Sequence, residues 1–324
     1  MSFAKNLAMP RASRSIRLRN SLILIMTTLL SNSAGWAQGA EEGAPNPLAS
    51  LALRNIGPAY PSGRISDFAF IGKGDNHYLV ATSSGGLWET RNRGTTWTPL
   101  FDGQSSYALG VVKVAPTDQD VIWVGSGENN AQRSVGYGDG VYKSVDGGKT
   151  WENMGLADSG HISQLWINPK NEDHVLVAAQ GPLWNSGGDR GLYRTKDGGV
   201  TWDQILAIDE HTGINEFVVH PNNPDLIVAS SYQRRRHVWT LINGGPGSGI
   251  HRSLDGGATW KEISAGLPKD HMGRIGLAMS PAAPNTLYGI IEASEAEQGV
   301  YRSTDFGQHW EKRSDHMTTS PQYY

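Results

Sequence analysis

The chain has 324 residues, 38% of them hydrophobic, enough to bury a substantial core, which excludes a chain disordered throughout. Its 28 Lys and Arg stand against 31 Asp and Glu, a formal charge of -3, so no electrostatic footprint exists for wrapping nucleic acid or coating an anionic membrane. With 40 Gly and 11 Trp, the composition favours an all-β chain of short strands, tight turns and a large aromatic payload.

At the N-terminus, Lys5, Arg11, Arg14, Arg17 and Arg19 precede an apolar run over residues 22–30, the layout of a signal peptide. The small residues Gly35 and Ala37 sit where a signal peptidase reads, so residues 1–37 are expected to be removed and the protein exported, to the periplasm or outside the cell. The run is about nine residues long, too short to span a bilayer, and no membrane span is expected in the mature chain. Without Cys, the fold is expected to be held by packing alone. Residues 38–50, small, polar and Pro-containing, read as a flexible linker before a folded region over 51–324.

That region repeats itself five times. The segments TRNRGTTW, SVDGGKTW, TKDGGVTW, SLDGGATW and STDFGQHW end at Trp97, Trp151, Trp202, Trp260 and Trp310. They recur about every fifty residues, the period of a propeller blade. Before each box, period-two runs flank a Pro/Asn/Asp turn, as in ISQLWINPKNEDHVLVAAQ and INEFVVHPNNPDLIVASSY, and predict two strands. A third strand is read from GVYKS, GLYRT, GIHRS and GVYRS, and a fourth begins at the Trp. Four strands per unit predict antiparallel blades of a β-propeller.

Asp146, Asp197, Asp255 and Asp305 fall at the hairpin tips, where a short carboxylate accepts hydrogen bonds from turn amides. In the first unit Asn92 stands there instead, keeping the acceptor without the charge, which a turn-fixing role tolerates and acid/base chemistry would not. The Asp boxes are therefore read as structural, each Trp packing between sheets.

These boxes resemble the BNR, or Asp-box, repeats of sialidases, xyloglucanase-type glycosidases and sortilin-type receptor ectodomains. The core GVYKSVDGGKTW and the return INPKNEDHVLVAA are most similar to bacterial sortilin N-terminal-like proteins, often labelled glycosyl hydrolases. A sialidase is not implied, because residues 63–66, GRIS, lack the Pro of an Arg-Ile-Pro segment. The resemblance implies a larger propeller, often of ten blades, whereas this chain ends in SPQYY where another inner strand is due. The expectation is an incomplete or open ring, either a fragment of a longer protein or a ring closed by residues 51–56, with the fragment favoured because open edges are normally removed.

Strand topology predicts the loops after the second and fourth strands on one face and the Asp boxes on the other. The variable loops are 127–139, 180–190, 231–249 and 292–298, and recognition is expected there. Candidate ligand-binding residues are Arg64, His161 and Arg274 at the starts of inner strands; Arg234, Arg235 and Arg236 with Trp239 in a basic, aromatic stretch; and Tyr137 and Trp184 on neighbouring loops. A glycosidase would need two opposed carboxyl groups, for which Glu128, Asp139, Asp189, Asp209 and Glu210 are available without a means of ranking them. The histidines His161, His211, His220, His237 and His271 lack zinc-ligand spacing, so no metal is expected, and no phosphate-cradling Gly motif implies a cofactor. The reading is an exported binding or scaffold module for a peptide, protein or glycan, with a xyloglucanase-like glycoside hydrolase as the alternative.

Overall fold

The computed structural model describes residues 64–315. The expected signal peptide, the linker, the closing strand over 51–56 and the SPQYY terminus lie outside those residues. The described residues fall within one compact unit, Arg54–Tyr324.

Five antiparallel sheets follow one another along the chain, each laid down in the order first, second, third, fourth strand. Blade 1 is β1 (Ile65–Phe70), β2 (Tyr78–Thr82), β3 (Leu87–Thr90) and β4 (Thr98–Pro99). Blade 2 is β5 (Leu109–Val114), β6 (Ile122–Ser126), β7 (Val141–Ser144) and β8 (Glu152–Asn153); blade 3 is β9 (Ile162–Asn168), β10 (Asn171–Ala179), β11 (Gly191–Thr195) and β12 (Asp203–Leu206). In blade 4, β13 (Thr212–His220), β14 (Asn223–Arg236), β16 (Gly249–Ser253) and β17 (Lys261–Ile263) are joined by β15 (Leu241–Asn243), which pairs with the overhanging end of β14. Blade 5 is β18 (Ile275–Ser280), β19 (Ala283–Ile291), β20 (Gly299–Ser303) and β21 (Glu311–Ser314). The fold is thus an all-β stack of propeller blades that closes no barrel among the described residues.

The Asp boxes hold their hairpins as their chemistry requires. Asp146 Oδ1 accepts the Thr150 amide at 2.9 Å and the Ser144 hydroxyl at 2.8 Å, while its Oδ2 takes the Thr150 hydroxyl at 2.6 Å. The same bonds recur at Asp197 and Asp255, and at Asp305 the His309 ring replaces the threonine hydroxyl. Asn92 accepts the Thr96 amide at 2.8 Å and donates its own amide to the Thr96 hydroxyl, so the turn survives without a charge. Each box also leans on the first turn of its own blade, as where Gly147 N–H donates to Asp120 O at 3.0 Å and Gly198 N–H to Asp173 O at 3.0 Å. Boxes and first turns therefore share one face, opposite the variable loops.

Alternation in the strands sends every second side chain towards the preceding blade and the others towards the next. Leu79, Val124 and Ile122 meet between blades 1 and 2, Trp123, Val175 and Val177 between 2 and 3, Leu176, Ile227 and Ala229 between 3 and 4, and Val228, Leu287 and Ile291 between 4 and 5. Fully burying such a side chain contributes about 1.5–3 kcal/mol, so the sheets are held chiefly through their faces. The box Trp joins these layers from the later blade: Trp151 packs edge-on to Phe101, and Trp202 packs on Trp123 and donates to Met154 O.

Near the axis the inner strands are tied by side chains. In blades 1 to 4 a register shift in the inner strand leaves one extra residue, Ser66, Gly110, Ser163 or Asn215. Ser163 donates to Ile214 O at 3.0 Å and Asn215 to Ile275 O at 2.8 Å. At Gly110 there is no room for a side chain, since a Cβ would lie 2.0 Å from Ile162 O. The next polar residue reaches further along the following strand: Asp67 accepts Val112 N–H, Gln164 accepts Phe217 N–H and Glu216 accepts Leu277 N–H.

Candidate functional site

The inner strands border a central cavity of about 540 Å³ lined by residues of blades 1 to 4, by Arg274 immediately before β18 and by 128–130 of the blade 2 loop. Its wall is polar. Asp67 holds Lys113 at 2.7 Å, Glu128 takes the Arg64 guanidinium, and Glu216 and Gln164 face the same space. Burial pushes the Glu216 carboxyl up, opposed by the Leu277 amide and the charge of Arg274. Arg274 lines the cavity, and the one hydrogen bond its guanidinium donates among the described residues, to Asn129 O, is long at 3.5 Å.

Above the cavity the variable loops form a packed layer. Ala131, Val135 and Leu183 make a small apolar cluster with Trp184 and Leu241 against it. Gln180 bridges Asn129 at 2.6 Å and Asn215 at 2.7 Å. Arg190, buried, donates to the carbonyls of Gln180, Gly187 and Asn185, and burial brings its guanidinium down to about 10.

The basic stretch of blade 4 differs from the expected loop. Residues 231–236 continue strand β14, and alternation turns Arg234 and Arg236 into the layer while Arg235 lies half-buried on the other side. Arg234 Nη1 donates to Asn130 O at 2.7 Å and Arg236 Nε to Ala131 O at 2.6 Å, so both guanidiniums bind the blade 2 loop and are buried instead of presented to solvent. Their apolar stems and fixed partners explain the burial of residue types that are normally exposed. Nε and Nη2 of Arg234 are buried without a partner, and burial lowers that guanidinium to about 9.

His161 is fully buried with both ring nitrogens unpartnered, its ring centroid 4.8 Å from that of half-exposed Tyr137. Burial, then the charges of Arg234 and Arg190, hold its imidazole well below the usual range, so it is neutral near pH 7. Trp239 is exposed and stacks on His237 at 5.3 Å, remote from any bond to the cavity residues. Among the sequence candidates, the structure brings Arg64 and Arg274 to the cavity, Tyr137, His161, Trp184, Arg234 and Arg236 to the layer above, and leaves Arg235 and Trp239 at its margin.

The acidic loop candidates are all committed to structural bonds, and of the five only Glu128 lines the cavity. Asp139 accepts the Ser105 and Tyr142 hydroxyls, Asp189 caps Asp158 N–H at 3.0 Å, Asp209 caps His211 N–H at 2.7 Å, and Glu210 lies 3.6 Å from the His211 ring. Glu128 accepts Arg64, Asn130 and the Gly136 amide. Sequence reasoning found Glu128 but missed the other carboxyl groups that line the cavity, Asp67 and Glu216, because both lie on strands and the acidic candidates were drawn from loops. Their signal was a polar residue at one inner-strand position, shared with Gln164, in runs otherwise apolar. Among the described residues, no group of three or more His, Cys, Asp or Glu is placed to hold a metal.

The family model described as Sortilin, neurotensin receptor 3 matches residues 139–243 and 190–322, which together cover more than half of the chain. Xyloglucanase Xgh74A of Acetivibrio thermocellus is 26% identical over 245 residues, 64% of this chain and 26% of that protein. Vacuolar protein sorting/targeting protein PEP1 of Saccharomyces cerevisiae is 26% identical over 171 residues, 47% of this chain and 10% of that protein. The chain therefore spans about a quarter or less of the length of these curated relatives. The crystal structure of the GH74 xyloglucanase from Xanthomonas campestris superposes with a TM-score of 0.56 at 19% identity, covering 76% of this chain and 38% of that one, a likeness of fold. The matched model, the five Asp-box blades and the inter-blade packing agree: this chain belongs to the Sortilin-Vps10 family.

Proposed function

We propose that the protein is an exported binding module that recognises a peptide or protein segment through the central cavity and the loop layer above it. Export rests on the basic-then-apolar pattern of residues 1–37. The observation that carries recognition is Arg274, a guanidinium lining a cavity of about 540 Å³ with no carboxylate within ion-pair distance among the described residues. Arg presents a planar fork of donors to a carboxylate or carbonyl, and the fork of Arg274 is engaged within the described residues by one long bond to Asn129 O. A relative named for protein sorting and targeting supports a protein ligand.

A second reading is hydrolysis of a glycan, favoured by relatives named xyloglucanases and by Glu216, whose raised carboxyl has the property of a general acid. Against it, Asp67, the other carboxylate on the inner strands, is held by Lys113 and Val112 N–H as a structural tie. The test is a peptide and glycan array probed with purified protein and with Arg274→Gln. Binding by the parent that Arg274→Gln loses supports the reading. Binding equal in both, with the variant folded, overturns it.

A further inference from the structure

Buried polar atoms without a partner gather in one part of the molecule. Eight of the eleven such side-chain atoms among the described residues belong to Ser159, His161, Gln180, His211, Thr212 and Arg234, all at the loop-face ends of blades 3 and 4. Folded proteins leave few buried donors and acceptors unpaired, because each loses its bond to water. A cluster of them at one place is matched by a ligand that supplies the missing partners.

Arg234 gives the set its chemistry. Its Nη1 donates to Asn130 O at 2.7 Å, while Nε and Nη2 are the unpartnered atoms. Those two nitrogens form the side edge of the guanidinium, whose parallel N–H bonds reach both oxygens of one oxyanion. The charges that act most strongly on Arg234 come from Tyr232, Arg274, Arg190 and Tyr137, with no carboxylate among them. Arg234 and Arg190 both act on the buried ring of His161, whose two nitrogens are unpartnered. Arg190 gives its own donors to the carbonyls of Gln180, Gly187 and Asn185, so it adds positive charge without taking the edge of Arg234. Tyr137, 45% exposed, lays its ring 4.8 Å from that of His161 and separates the set from solvent. None of Arg234, His161 and Tyr137 lines the central cavity.

We propose that the loop layer binds a free divalent oxyanion of the sulfate or hydrogenphosphate class, held side-on by Arg234 Nε and Nη2 and by an N–H of His161. Two guanidiniums, Arg234 and Arg190, match a divalent anion in charge, and the parallel donors of Arg234 select an oxyanion over a halide. Because the set is covered, a small ion enters past the ring of Tyr137, and an extended chain does not. Bound there, the ion joins blades 3 and 4 to the blade 2 loop that Arg234 already holds through Asn130 O. The inference goes beyond the reading of the central cavity and holds whatever that cavity binds.

The test is isothermal titration of the full chain, exchanged into a chloride buffer near neutral pH, with sodium sulfate, sodium phosphate and sodium acetate at constant ionic strength. Saturable 1:1 binding of sulfate, phosphate or both is expected over the chloride background, with acetate weaker by about tenfold or more. Two variants, each checked for an unchanged β-sheet spectrum and cooperative melt, locate the ion. Arg234→Lys keeps the charge and loses the parallel edge, His161→Phe keeps a ring and loses the nitrogens, and each is expected to weaken binding about tenfold. No saturable heat from either divalent oxyanion, acetate bound as tightly as sulfate, or parent affinity in either folded variant would each overturn the proposal. If Arg234→Lys unfolds the chain, His161→Phe and the acetate comparison are read in the same way.

Discussion

Glu216 Oε2 accepts the Leu277 amide at 2.6 Å, so a carboxyl group on the inner strand of blade 4 satisfies a backbone donor on the inner strand of blade 5. Asp67 and Gln164 do the same for blades 2 and 4. The series makes the wall of the central cavity part of what holds the blades in register, and it separates the effect of removing the group from that of removing its charge.

Glu216→Ala leaves the Leu277 amide without its partner and is expected to cost about 1–3 kcal/mol by chemical denaturation. Glu216→Gln keeps an acceptor. Because burial raises the folded carboxyl above its ordinary 4.5, its contribution is fully present below that value and is lost as pH rises through the folded value. The melting temperature of Glu216→Gln relative to the parent is therefore expected to rise from pH 4.5 towards neutrality and then level off. A difference independent of pH would contradict the assignment.

The Asp boxes titrate in the opposite sense. Hydrogen bonds from the Thr150 hydroxyl and amide hold Asp146 at about 2, and Thr201 and Thr259 do the same for Asp197 and Asp255. Folded values below the ordinary 3.8 give stability that is present above that value and lost as pH falls towards 2. Acid unfolding is expected in that window. Asp146→Asn, with Asn92 as its precedent, is expected to melt close to the parent at pH 7 and to lose less on acidification, whereas Asp146→Ala melts a few degrees lower.

Arg234 joins blade 4 to the blade 2 loop through Asn130 O. Arg234→Ala removes that bond and opens a cavity in the layer, with an expected cost of about 2–4 kcal/mol. Hydrogen exchange is expected to quicken at the amides of 128–136 while the Asp-box hairpins on the other face keep their protection. Uniform loss across both faces would show that the layer is not a separate unit.

Gly110 lies where a Cβ would meet the Ile162 carbonyl at 2.0 Å. Gly110→Ala must separate blades 2 and 3, and is expected to destabilise by about 3 kcal/mol or more. Soluble, cooperatively melting protein with an unchanged Tm would show that the strands do not approach so closely.

The repeats were legible because an Asp box is a local device: Asp146, Gly148 and Trp151 fix one hairpin within eight residues, and the same turn recurs at each period. The cavity was not legible in the same way. Asp67 and Glu216 look like ordinary polar positions of alternating strands, and only the convergence of the inner strands brings them to one space. The run Arg234, Arg235 and Arg236 misled for a related reason, since three adjacent charges in a variable segment read as a ligand-binding loop, while a strand's alternation buries two of them against carbonyls more than a hundred residues earlier.

Recognition without chemistry at the central cavity is tested most directly by measuring heat of binding and release of reducing ends on the same preparation, for each array hit, with the parent, Arg274→Gln and Glu216→Gln. Binding with no release of reducing ends is expected, with binding lost in Arg274→Gln and retained in Glu216→Gln. Release of reducing ends by the parent that Glu216→Gln abolishes, with its fold intact, would contradict it and identify a hydrolase.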